Sequence, residues 1–114
     1  MNSPLRLLRE QNRSVIAAAL LAHDGALIEA SSDGALEDTL CSFVAALRSL
    51  SERTLAELGG GTLDTMILAG DSATLLFADA GPERVLAALV SDRAPLGLAL
   101  SDLRNTARTY AEVR

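Results

Sequence analysis

The sequence has no lysine and no tryptophan, one cysteine, one histidine, and only three aromatic residues, Phe43, Phe77 and Tyr110. Each shortage excludes something. A single cysteine, Cys41, forbids an internal disulfide and suits a reducing compartment. One cysteine and one histidine cannot make a Cys/His metal site within one chain. A serine triad would have to use His23, and there is no G-x-S-x-G elbow to present its nucleophile. With so few rings, the core must be built from Leu, Ala, Val and Ile. All ten basic residues are arginine, a bias that points to a GC-rich genome and a bacterial source rather than to a physical need. The formal charge of −5 argues against nucleic acid, which requires a basic stripe, and against an anionic membrane surface. No apolar run approaches the roughly 18–20 residues of a membrane span. Charges interrupt the apolar stretch of "MNSPLRLLREQNR", so it is not a secretory signal. The expectation is one cytoplasmic domain over residues 1–114, with no cofactor and no metal.

What is present is clear punctuation between apolar runs. "SPLRLLREQN" opens with a cap, Ser3, and with Pro4 at the first helical position, and predicts a short amphipathic helix. "SVIAAALLA" and "ALIEAS" flank "HDG", and Asp-Gly between apolar runs is a strong hairpin signal, giving strands at about 15–22 and 26–31. Ser31, Ser32 and Asp33 are cap candidates for a long helix from Ala35 to Leu58. In that helix Leu36, Leu40, Phe43, Leu47, Leu50, Thr54 and Leu58 fall within about 40° of one line at 100° per residue, with Val44 and Leu55 widening it, a stripe expected to face the core. Strands at about 62–69, 73–79 and 84–91 follow as a meander divided by "GDS" and "AGPE". After Pro95, Leu96, Leu100, Leu103, Ala107 and Tyr110 recur at helical spacing to about residue 112. The order is α-β-β-α-β-β-β-α. The first and fifth strands, apolar on both faces, are expected at the centre of the sheet.

Three consecutive glycines in "ELGGGTL" invite a phosphate-loop reading. Such a loop needs a strand before the glycines, a helix N-terminus after them and a lysine. Here the glycines follow a helix, whose C-terminal end repels anions, and lysine is absent. Gly59 to Gly61 therefore read as a helix stop, with glycine supplying the left-handed cap. His23 reads as a solvated residue of the hairpin turn and Cys41 as a small filler on the long helix. The carboxylates Glu37, Asp38, Asp64 and Asp71 read as solvated surface charges. No set of residues is spaced for catalysis, so no enzyme activity is expected.

The combination resembles the Roadblock / dynein light chain family, whose bacterial members include the MglB-like regulators of Ras-like GTPases. The resemblance rests on the hairpin "VIAAALLAHDGALIEAS", the long helix ending in "AELGGGTL", three strands, a "PLGLA" step and a closing helix. It covers Ser14 to Val113. It implies an α/β, profilin-like Roadblock fold with a five-stranded antiparallel sheet of order 2-1-5-4-3. The long helix would lie on one face and the terminal helices on the other. It also implies homodimers that pair through the third strand and the long helix, and non-catalytic binding of a small Ras-like GTPase whose nucleotide cycle is modulated. A structural adaptor that leaves nucleotide state untouched is the second reading. A small-ligand sensor is the third, disfavoured because a pocket's convergent polar and aromatic residues are missing.

Two features of the sequence agree with self-association. The strand at 62–69 carries consecutive Met66, Ile67 and Leu68 without Pro or Lys, an unguarded edge. The helix line opposite the apolar stripe reads Asp38, Ser42, Ala45, Ser49, Glu52, Ala56, small enough for close approach of another chain, although Ala and Ser also simply tolerate a helix. The expected dimer interface is Leu63, Asp64, Thr65, Met66 and Ile67 with Ala45 and Ser49. The expected partner-binding residues are Asp38, Ser42, Arg48, Glu52 and Arg53, with a solvated surface role as the competing reading for the two arginines.

Overall fold

The computed structural model describes residues 3–31, 35–92 and 95–112. Helix α1 spans Pro4–Gln11, and the Ser3 side chain accepts a hydrogen bond from the Arg6 N–H at 3.2 Å, satisfying one of the donors a helix start leaves open. Strands β1 (Val15–Ala22) and β2 (Leu27–Ala30) form the first hairpin. Helix α2 spans Ala35–Glu57, and of its three cap candidates Ser32 and Asp33 lie outside the described residues. Strands β3 (Thr65–Ala69), β4 (Ala73–Asp79) and β5 (Arg84–Ser91) follow, and helix α3 (Leu96–Glu112) closes the chain. The element order is the expected one.

All pairings are antiparallel and the sheet order is β2-β1-β5-β4-β3. The two-sided apolar strands β1 and β5 sit inside it, paired Ala18 to Ala88 and Leu20 to Leu86. Alternation sends their side chains to two cores. On one face α1 and α3 bring Leu5, Leu8, Leu103 and Tyr110 against Ala18, Leu20, Leu76, Leu86 and Ala88. On the other, α2 brings Leu40, Cys41 and Val44 against Ala19, Leu21, Phe77, Val85 and Ala87. The Tyr110 hydroxyl accepts from the Leu5 N–H at 3.1 Å and donates to Glu29 at 2.9 Å, tying α3 to α1 and β2.

The Asp-Gly turn holds Gly25 at φ +98°, and Asp24 accepts from the Ala26 N–H at 2.9 Å. The glycine run closes α2 as a Schellman motif. Gly59 is left-handed at φ +73°, and the Gly60 and Gly59 N–H groups reach back to the carbonyls of Leu55 and Ala56 at 2.7 and 3.4 Å.

Two expectations fail. Strand β3 begins at Thr65 instead of residue 62, because Gly61, also at positive φ, still belongs to the turn and Leu63 drops into the α2-side core. The second failure is the rotational setting of α2. The residues it buries are Glu37, Leu40, Cys41, Val44 and Arg48. That face lies about 90° around the helix from the apolar stripe, at 100° per residue.

Candidate functional site

Because α2 is turned this way, much of its apolar stripe is left exposed among the described residues. Leu36 is 45% exposed, Phe43 65%, Leu50 62% and Leu58 79%; of the seven residues on the line only Leu40 is buried, together with Val44 at its margin. Helix α2 lies over β1, β2 and β5 and diverges from the far side of the sheet. A groove of about 400 Å³ opens there, walled by Leu47, Leu50, Ser51 and Thr54 on the helix and by Thr65 and Met66 on β3. Strand β3 is the last in the sheet, and its Ile67 and Leu68 are exposed. Stripe, groove and bare strand edge form one continuous apolar surface, of the kind monomeric proteins rarely leave uncovered.

Arg48 is fixed rather than available. It is only 7% exposed. Its Nε and Nη2 donate to both Asp79 oxygens at 2.9 and 3.1 Å, while Nη1 and Nη2 donate to the two Glu52 oxygens at 3.1 Å each. The hydrogen bond to Asp79 is the chief reason its pKa rises above the ordinary arginine value, against the opposing effect of burial. The pairing with two carboxylates engages four of the five guanidinium N–H groups. The solvated reading of Arg48 is therefore wrong: the guanidinium is buried and committed within its own chain, while the Glu52 side chain stays 43% exposed. Asp79, some 30 residues away in sequence on β4, gave no signal of this role.

The remaining candidates are dispersed. Thr65 and Met66 line the groove and Ile67 is on the open edge, as an interface requires. Leu63 is buried in the core, and Asp64 pairs with Arg104 of α3 at 2.7 Å. Ala45 is not on an outward line: it is half-buried against the first hairpin, and a Cβ on Gly25 would sit 3.3 Å from its own. Asp38, Ser42, Ser49 and Arg53 are exposed. Ser42 turns its hydroxyl back to the Asp38 carbonyl at 3.3 Å.

Three further readings are settled by burial. Cys41 is a buried filler, its thiol pushed up to about 11 by burial first and then by the charges of Asp38 and Glu37, which leaves it protonated and inert. Glu37 is not a solvated charge. It is fully buried and accepts from the Ser31 hydroxyl at 2.9 Å, and that hydroxyl accepts in turn from the Ala18 N–H. His23 is half-buried, with Nε2 3.8 Å from Asp79 Oδ1. Among the described residues no group of three His, Cys, Asp or Glu is placed to hold a metal ion, and no helix is long and apolar enough to cross a membrane. What this surface offers is apolar contact and free backbone pairing, which are the means of binding protein.

Comparison with known proteins agrees in fold and family. The chain is 32% identical to an uncharacterized protein of the archaeon Methanocaldococcus jannaschii, over 94% of this chain and 92% of that one. Its structure is similar to a Roadblock/LC7 domain from Streptomyces avermitilis, with a TM-score of 0.83, 22% identity, and coverage of 90% and 87% of the two chains. It is also similar to the gliding protein MglB of Thermus thermophilus, with a TM-score of 0.84, 18% identity, and coverage of 95% and 83%. The fold is thus the profilin-like Roadblock arrangement that the family resemblance implied. Residues 3–90 match the Roadblock/LC7 domain, and the chain belongs to that family.

Proposed function

We propose that the protein is a non-catalytic homodimer that binds a small Ras-like GTPase and modulates its nucleotide cycle in a bacterial cytoplasm. The observation that carries this reading is the uncovered apolar surface of α2 and β3. Roadblock/LC7 domains are in general regulatory or adaptor domains rather than catalysts, and the likeness to MglB favours the regulatory kind. Self-association uses the stripe of α2 together with Thr65, Met66 and Ile67 of the open edge. The GTPase meets the exposed polar flank of α2, at Asp38, Ser42, Ser49 and Arg53. Since Arg48 is already committed to Asp79 and Glu52, modulation works by positioning the GTPase's own loops and not by inserting this arginine.

The test is titration of the protein against small Ras-like GTPases of its host, loaded with GDP or with a GTP analogue, followed by hydrolysis and exchange rates of the complex. Binding with a changed rate supports the proposal. Binding with both rates unchanged makes the protein an adaptor. Absence of binding to every GTPase contradicts it.

A further inference from the structure

Resting on the self-association proposed above, we infer that Phe43 of each copy seats in the other copy's groove between α2 and β3, across a twofold axis that crosses α2 at Leu47. The chain has two phenylalanines, and they have opposite fates. Phe77 is fully buried, whereas Phe43 projects into solvent from the middle of α2. The groove on the same surface has no occupant among the described residues. Its helical wall consists of Leu47, Leu50, Ser51 and Thr54. These are positions i, i+3, i+4 and i+7, the four residues that frame a hole for a knob from a facing helix.

The spacing of knob and hole fits a twofold. In an isologous contact, residue j of one copy meets residue i of the other and the reverse. If the axis passes Leu47 and the helices run antiparallel, a residue four positions before Leu47 meets the residue four positions after it. Phe43 therefore meets Ser51, one wall of the hole. The same rule sets Leu36 against Leu58 and Leu47 against itself, so the exposed ends and the centre of the stripe meet their own kind, while Leu50 falls opposite Val44, which its own core buries. Ser51 is small, and its hydroxyl is turned to the Met66 sulfur at 3.6 Å, which leaves the space above it apolar. A foreign helix would fill the hole but leave Phe43 in need of a second pocket. A second copy of this chain satisfies both at once.

The experiment mixes Phe43→Cys protein with Ser51→Cys protein under mild oxidation. Buried Cys41 stays out of the reaction. A mixed cross-link forming faster than either variant links to itself is the expected result. In parallel, Phe43→Ala is expected to keep its circular dichroism, since the ring is exposed, while dimer dissociation rises roughly 30-fold or more. A dimer that persists with no mixed cross-link and unchanged dissociation overturns the seating of Phe43 but leaves self-association standing. Loss of GTPase binding without loss of the dimer in Phe43→Ala gives the groove to the GTPase and likewise overturns it. A parent protein that is monomeric at micromolar concentration removes the self-association and this inference with it.

Discussion

At the scale of single residues, the fold depends on a few positions where backbone or charge leaves no alternative. Gly25 stands at φ +98°, and a side chain there would also press on Ala45 of α2. Gly25→Val is expected to cost on the order of 1–3 kcal/mol in urea unfolding. Arg48 pairs with Asp79 and Glu52, whose side chains are 37% and 43% exposed. Arg48→Met is expected to lose about 1–2 kcal/mol, near the low end for a buried pair, because both abandoned carboxylates rehydrate. Two neutral groups set the alkaline limit. Cys41 rises from 9.0 to about 11, and Tyr110 from 10.0 to about 12, in each case chiefly through burial, Tyr110 also through its hydrogen bond to Glu29. Folding keeps both protonated where the unfolded chain releases its protons, so their contribution is whole below about pH 9. It falls as pH climbs through about 11 for Cys41 and about 12 for Tyr110. Unfolding curves collected from pH 8 upward are expected to show that decline, and the double variant Cys41→Ala, Tyr110→Phe is expected to flatten it.

At the scale of elements, β3 and α2 carry the account. Leu68 is exposed on the edge strand, and Leu68→Lys there leaves the protomer's core intact while burying a charge in any strand pairing. The expected outcome is an unchanged melting curve at low concentration and a loss of dimer by sedimentation. Most elements were legible in the sequence because their ends carry specific chemistry: Ser3-Pro4 at the start of α1, Asp24-Gly25 in the first turn, the glycines after α2. The start of β3 was misread because the threonine and leucine after Gly61 look like strand while Leu63 is drawn into the core. The setting of α2 was misread for a deeper reason. Periodicity finds the apolar face of a helix but not what covers it, and the stripe was assigned to this chain's own core. The face that α2 does bury includes Glu37 and Arg48, whose partners Ser31 and Asp79 come from other elements and cannot be paired by spacing. Of the candidate site, the open edge at Met66 and Ile67 was legible. The exposed stripe, with Phe43 and Leu50, was seen but given the wrong neighbour.

At the scale of the molecule, the sheet is covered unequally. Helices α1 and α3 close one face, while α2 covers the other from β2 as far as Phe77 and Asp79 of β4 and leaves the β3 side open. The open remainder is apolar and lies beside the outer edge of β3, so the protomer is complete as a fold but not as a surface. This asymmetry is the central claim, and every functional statement above depends on it. Sedimentation equilibrium of the unaltered protein at micromolar concentration tests it most directly. The account predicts a particle of twice the 11.9 kDa chain, about 24 kDa, and a clean 11.9 kDa monomer at that concentration would contradict it.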